Sequence, residues 1–180
     1  IILPEYKGMV YGDEGTRLVT ASTRRNSPAT LDSKIHHNNL LNNILAKIEA
    51  NVAGVDDAVM LDVRGFIAET NATNIFVVRS GVLMTPFPVA CLPGLTRSMV
   101  LDVAARIGIP AVEADLSLTE LYTADEAFTT GTMGGLSHMR EVDGRLIGPS
   151  DAMGPITLKL QEAYQQMVWD EAHPLAYCSL

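Results

Sequence analysis

Apolar residues recur at helical spacing in three stretches of the chain, which predicts three amphipathic helices. The first stretch ends at Gly54 and the second at Gly108, and glycine is common just after a helix. The third opens at Gly154-Pro155, and proline is favoured at the first helical position. The apolar positions are Leu40, Leu41, Ile44, Leu45, Ile48 and Val52; Leu95, Met99, Val100, Val103, Ala104 and Ile107; and Ile156, Leu160, Ala163, Tyr164 and Met167.

Short runs rich in β-branched residues lie before and between these helices and predict strands. The dipeptides Ser80-Gly81 and Asp143-Gly144 predict two hairpins, and 118–121 reads as one helical turn. Helices and strands alternate, yet hairpins require antiparallel pairing, so we expect an α+β (mixed α/β) fold. The predicted strands are 1–3, 8–11, 17–23, 58–62, 66–69, 74–78, 82–84, 111–114, 125–130, 139–142 and 145–147.

Composition limits the function classes. The chain has 180 residues, 47% of them hydrophobic, which suits one domain with a sizeable core. A net charge of −8 disfavours nucleic acid and anionic membranes as partners. No apolar run is long enough to span a bilayer, and two cysteines at unrelated positions make neither a disulfide framework nor a metal knuckle. We therefore expect a reducing, cytoplasmic setting.

The start of the chain indicates a longer protein. The first residue, Ile1, is not methionine, and the chain begins in the middle of an apolar run. We therefore expect residues 1–180 to form one domain, with 1–16 as a connection from a preceding domain.

The chemistry concentrates between Gly65 and Arg97, read together with the upstream Lys34. Glu69 is a carboxylate within a predicted strand, and Pro93-Gly94 forms a turn into the second helix. A helix start binds anions, because its first N–H groups lack partners and its dipole is positive there. A carboxylate, a site for a phosphate-sized anion and a lysine are what a pyridoxal phosphate enzyme needs.

Each of these features also has a plainer interpretation. A lysine such as Lys34 is usually a surface charge, and Glu69 could lie on an exposed edge strand. The first-turn residue Thr96 could simply cap its helix. The glycine- and threonine-rich run 130–135 could be a flexible turn or could present N–H groups to an oxyanion. Arg24-Arg25 is predicted to be a solvated pair, with an anion contact as the alternative.

No metal site is expected. The two histidines His36 and His37 are adjacent, so on a helix they point about a quarter turn apart, a poor geometry for one metal. No Ser-His-Asp set and no phosphate-loop lysine motif is present.

The spacing of several blocks resembles the signature of the class IV pyridoxal phosphate aminotransferases. That family includes branched-chain aminotransferases, D-amino acid aminotransferases and aminodeoxychorismate lyase. The resemblance runs from about Val19 to the last helix. It rests on Lys34 with Asn38 and Leu40-Leu41, Glu69, Asn74-Ile75-Phe76, Leu83, Thr85, Leu92-Pro93-Gly94-Leu95-Thr96-Arg97, Gly131-Thr132, Val142-Asp143-Gly144 and Gly154-Pro155-Ile156-Thr157.

The resemblance implies that the chain is the large C-terminal, cofactor-binding domain of a homodimeric enzyme. It also implies the fold of that domain, with mixed sheets in a pseudo-barrel flanked by helices. Lys34 would form the Schiff base with the cofactor aldehyde and, once freed, move a proton between substrate and cofactor. Glu69 would pair with the pyridine nitrogen and keep it protonated.

The resemblance also assigns the phosphate and substrate contacts. Leu95 and Thr96 would offer backbone N–H groups to the phosphate, and the hydroxyls of Thr96 and Thr132 would add to them. Leu92 and Gly94 belong to the same cofactor-binding turn. The backbone at Thr132-Met133 would hold the substrate carboxylate.

Some positions depart from the branched-chain pattern. Asn39, which we count among the cofactor residues, stands where those enzymes carry a tyrosine that hydrogen-bonds the ring hydroxyl. Asn71 replaces a small residue, His138 a proline and Gly135 an acid. The family's phosphate-binding arginine belongs to the domain expected before Ile1.

The resemblance therefore implies an aminotransferase that exchanges an amino group between an amino acid, branched-chain-like or D, and a 2-oxo acid. A lyase using the same lysine is the alternative, and the two differ in substrate-side residues. A relative that binds the cofactor without turnover is disfavoured by the intact Lys34 and Glu69.

Overall fold

A computed structural model describes residues 14–169, and nine strands and four helices lie within them. The strands are β1 (Thr16–Thr20), β2 (Asp57–Leu61), β3 (Ile67–Thr70), β4 (Asn74–Arg79), β5 (Val82–Pro86), β6 (Ala111–Ala114), β7 (Glu126–Gly131), β8 (Gly135–Val142) and β9 (Arg145–Leu146). The helices are α1 (Leu41–Ala53), α2 (Leu95–Arg106), α3 (Leu118–Tyr122) and α4 (Pro155–Trp169).

The described strands form one mixed sheet in the order β3-β2-β1-β8-β7-β4-β5-β6, with β9 paired to β8. Strand β1 runs parallel to both of its neighbours, and β5 runs parallel to β6. The remaining pairs are antiparallel. The expected α+β (mixed α/β) fold is thus confirmed.

Two apolar clusters fill the opposite faces of the central strands. Alternate residues of a strand point to opposite faces, so Ile75 and Val77 of β4 join one cluster while Phe76 and Val78 join the other. Phe76 stacks on Phe128 of β7, with ring centroids 5.0 Å apart. Helices α2 and α4 cover this second face, and α3 packs on the first.

Both predicted hairpin turns are present. Ser80 and Gly81 have φ of 51° and 80°, and Asp143 and Gly144 have φ of 53° and 73°. A type I′ turn needs positive φ at both central residues, which explains why these dipeptides are informative. The predicted strands 1–3 and 8–11 and the tail 173–180 lie outside the described residues.

The first helix packs differently from its apolar pattern. Its buried side chains are Ala46 and Ala50, which pack against β1 and β2. The larger apolar side chains at helical spacing are exposed instead, and Val52 is 85% exposed. Small residues allow a close approach of the helix to the sheet, so the side that packs carries the alanines. The exposed apolar residues are Leu40, Leu41, Ile44, Leu45, Ile48 and Val52.

Within residues 14–169, no helix has the length and apolar character needed to cross a membrane.

A buried carboxylate fixes the start of α4. The oxygens of Glu126 accept hydrogen bonds from this helix start: Ile156 N–H at 3.0 Å, Thr157 N–H at 2.7 Å and the Thr157 hydroxyl at 2.7 Å. The two N–H groups have no partner inside the helix, so the carboxylate satisfies them. It also places a negative charge at the positive end of the helix dipole.

We predict that Glu126→Gln lowers the free energy of unfolding by about 1–3 kcal/mol, because a charge-assisted acceptor becomes a neutral amide. The measurement is urea unfolding without added cofactor. Glu162→Gln, at an exposed position of the same helix, is the control and should change stability by less than about 0.5 kcal/mol. Equal stabilities for the two variants would contradict the anchoring role.

Candidate functional site

A cavity of about 450 Å³ opens where β3, β4 and the end of β7 meet the start of α2. Its lining includes carboxylate, amide and hydroxyl side chains together with the backbone of the turn before α2. A site of this size and polarity suits a small polar ligand. The lining residues are His36, Glu69, Ala72, Thr73, Asn74, Leu92, Pro93, Gly94, Leu95, Thr96, Thr130, Gly131 and Thr132.

The start of α2 faces this cavity without a side-chain cap and with no acidic residue in its first turn. The first backbone hydrogen bond of α2 runs from Ser98 N–H to Gly94 O, at 3.0 Å. The backbone N–H groups of residues 95–97 therefore have no partner within the helix. A Cβ at Gly94 would collide with the side chain of Asn74, so glycine lets the turn approach β4 closely. This helix start has the features that favour an anion.

Glu69 lies at another part of the cavity wall and is buried, 5% exposed. Its Oε1 accepts from Arg25 Nε at 2.6 Å. Its Oε2 accepts from Leu92 N–H at 3.2 Å and, at the long distance of 3.5 Å, from Asn74 Nδ2. Burial raises the pKa of Glu69, and the charge and hydrogen bond of Arg25 oppose that rise. The interpretation of Glu69 as an exposed residue is therefore wrong.

Arg25 is a residue beside the site that the sequence does not reveal. The prediction of a solvated Arg24-Arg25 pair is wrong for Arg25, which is 8% exposed and makes the alternative anion contact with Glu69, and it holds only for the exposed Arg24. Arg25 Nη1 also donates to Asn42 Oδ1 at 2.8 Å, on the first turn of α1. No local signal distinguishes the two arginines, because the burial of Arg25 depends on Glu69, which is distant in sequence.

Lys34 lies in the segment between β1 and α1, at the surface. Its Nζ pairs with Asp32 Oδ1 at 3.0 Å, and its side chain is 43% exposed. The same segment borders the site, because His36 lines the main cavity and Ser33 an adjoining one of about 240 Å³. Lys34 itself lines neither cavity, and its amine is turned to Asp32.

The other predicted residues divide into two groups. Leu92, Gly94, Leu95, Thr96 and Thr132 all line the cavity, and among them Thr96 is buried. Asn39 and Met133 are not among the lining residues. Met133 is 65% exposed, and Asn39 is exposed with its N–H donating to His37 Nδ1 at 3.0 Å.

Two further lining residues, Asn74 and Thr130, are absent from the predicted site residues. Asn74 donates to Leu92 O at 2.8 Å and lies directly opposite Thr130 in the β4–β7 pair. The Thr130 hydroxyl is buried and has no hydrogen-bond partner within the described part of the chain. A polar residue directly before the apolar run 75–78 is the signal for Asn74. Among residues 14–169, no cluster of side chains suitable for a metal ion is found.

Comparison with known proteins identifies the family of the chain. The model of the family "Amino-transferase class IV" matches residues 3–142. The chain is 54% identical over 176 residues to "Branched-chain-amino-acid aminotransferase-like protein 2" of Arabidopsis thaliana. That match covers 97% of this chain and 31% of the relative.

Solved structures share the fold. The branched-chain aminotransferase of Thermoproteus uzoniensis, solved with norvaline, has a TM-score of 0.86 and 38% identity, covering 92% of this chain and 56% of that one. The branched-chain amino acid aminotransferase of Thermobaculum terrenum, solved in its PLP form, has a TM-score of 0.83 and 31% identity, covering 88% and 52%. The chain thus spans between about a third and just over half of these proteins. It belongs to the class IV aminotransferase family.

Proposed function

We propose that the protein carrying this chain is a pyridoxal phosphate-dependent aminotransferase that moves an amino group between an amino acid and a 2-oxo acid. The observation that carries the proposal is one cavity lined by both an uncapped helix start and the buried carboxylate of Glu69. The Thermobaculum terrenum structure, which is a PLP form, supports the same cofactor.

The residues present fit this cofactor. The N–H groups at the start of α2 and the hydroxyl of Thr96 suit a phosphate, with Thr132 on the adjoining loop. Thr130 also lines the cavity, and its buried hydroxyl has no hydrogen-bond partner within residues 14–169. Glu69 offers its Oε2, which already accepts from Leu92 N–H, to a protonated ring nitrogen.

When bound, the pyridoxal ring accepts the electron pair left behind when a substrate carbon loses its proton. Lys34 would hold the cofactor aldehyde through its amine and later carry the proton to and from the substrate α-carbon. For this the amine must leave Asp32 and lose its own proton, because an ammonium bound to a carboxylate is not a base. The backbone at Thr132-Met133 would bind the substrate carboxylate.

For the substrate we propose branched-chain-like amino acids, since both compared structures are branched-chain aminotransferases. D-amino acids and lyase chemistry are the competing possibilities, and nothing in the described residues favours either. The exposed apolar side chains of α1 support an assembly in which they are covered, and we propose a homodimer. The buried, free Cys91 suits a cytoplasmic enzyme.

The first test asks which class of amino acid donates the amino group. We predict that single L-amino acids, branched-chain ones above all, convert the bound cofactor to its pyridoxamine form when no oxo acid is present. The measurement is the absorbance spectrum of the full-length protein after each L- or D-amino acid is added. Conversion by D-amino acids alone would reassign the donor, and a bound cofactor that never converts would favour the lyase.

We predict that Lys34→Ala abolishes amino transfer, a loss of at least about 1,000-fold, because both the covalent anchor and the proton carrier are removed. The measurement is the rate of pyridoxamine formation together with the circular dichroism spectrum. Lys47→Ala is the matched control, since Lys47 lies on α1 and donates to the Asp56 carbonyl. Amino transfer that survives in Lys34→Ala would remove this lysine from the reaction.

We predict that Thr96→Val weakens the binding of inorganic phosphate to the apoprotein by roughly three- to tenfold, because one hydrogen bond to the anion is lost. Titration calorimetry measures the affinity, and Ser98→Ala, exposed in the same turn, is the control. Equal affinities for the two variants would place the anion elsewhere.

A further inference from the structure

The contacts around Glu69 extend beyond the cavity to the first helix. Arg25 donates through Nε to Glu69 and through Nη1 to the amide oxygen of Asn42, at 2.6 and 2.8 Å. Asn42 in turn donates through Nδ2 to the carbonyl of Arg24, at 2.8 Å. The backbone N–H of Arg25 bonds to Leu61 O at 2.8 Å, at the end of β2. Arg25 is therefore held through both its side chain and its backbone.

The two oxygens of the Glu69 carboxylate have different hydrogen-bond partners. Arg25 occupies Oε1, while Oε2 receives Leu92 N–H and the long contact from Asn74. A carboxylate offers about four acceptor positions, and these contacts leave room for a further donor. That donor would come from the cavity that Glu69 lines.

The positive charge of the Arg25 guanidinium stabilises the charged form of Glu69. Burial favours the neutral form of a carboxyl group, and both side chains of this ion pair are less than a tenth exposed. The nearby Cys91 adds no further negative charge, because burial and the Glu69 carboxylate raise the pKa of its thiol to about 12 and keep it neutral. Without Arg25, a proton shared between Glu69 and a ring nitrogen would move toward the carboxylate.

We propose that Arg25 is a positioning residue that keeps Glu69 ionised toward the cavity, and that Asn42 on α1 holds Arg25 in place. The inference rests on the proposed function, because its target is the ring nitrogen of the bound cofactor. Arg25 acts through Glu69 and does not touch the ligand itself. The first turn of α1 is thereby coupled to the protonation of the ring.

The test uses the full-length protein loaded with pyridoxal phosphate that carries nitrogen-15 in its ring. The nitrogen chemical shift reports directly whether the ring is protonated, which a purely structural role for Arg25 would leave unchanged. In Arg25→Met we expect the signal to move from the protonated toward the neutral position. Cofactor affinity should fall by roughly tenfold, as one charge-assisted hydrogen bond no longer supports the carboxylate.

Two controls are matched in sequence. Arg24→Met removes the neighbouring, exposed arginine and should leave the nitrogen signal and the affinity unchanged. Asn42→Ala should shift the signal in the same direction as Arg25→Met but less. Asn43→Ala removes the next amide, which bonds to Asn71 O, and should not shift it.

A protonated signal and unchanged affinity in Arg25→Met would overturn the proposal. If Arg25→Met does not fold, the test relies on Asn42→Ala. An unchanged nitrogen signal in Asn42→Ala would also overturn the proposal. The proposed function has a separate test. If the unmodified protein binds no pyridoxal phosphate, the proposed function is wrong before any variant is compared.

Discussion

The structure depends on the burial of one carboxylate where four segments of the chain meet. Glu69 of β3 is bonded to the loop after β1 through Arg25 and to the turn before α2 through Leu92. Asn74, at the start of β4, bridges the same carboxylate and that turn. An unpaired buried charge is costly, so these segments must assemble together or leave the charge unsatisfied. The same contacts that stabilise the fold therefore shape the cavity wall.

A sheet irregularity contributes to this arrangement. The β2–β3 pairing shifts register between Met60 and Leu61, which face Glu69 and Ile67 respectively. A bulge re-aims the side chains beside it, and bulges are frequent near active sites. Here the apolar Ile67 enters the core while Glu69 lines the cavity. Regular alternation would place these two residues on one face, so the shift helps to separate their surroundings.

Local features of this fold could be predicted from the sequence, and features that depend on distant partners could not. The turns at Ser80-Gly81 and Asp143-Gly144, and the start of α2 after Gly94, follow from residues in direct succession. The burial of Arg25 and the exposure of the apolar side of α1 depend on what each segment packs against. The residue types at the cavity are visible in sequence, but the orientation of the Lys34 amine toward Asp32 is not.

Opposite charges on the cavity wall give a ligand one preferred orientation. The start of α2 attracts an anion, and Glu69 attracts a protonated nitrogen. A molecule that carries both groups gains from both contacts only in one direction, whereas the reverse orientation would set phosphate against carboxylate. Arg25 offsets the cost of burying Glu69 through Oε1, while Oε2 keeps its own contacts. Because the Arg25 charge is already neutralised by Glu69, it competes little with the helix start for the phosphate.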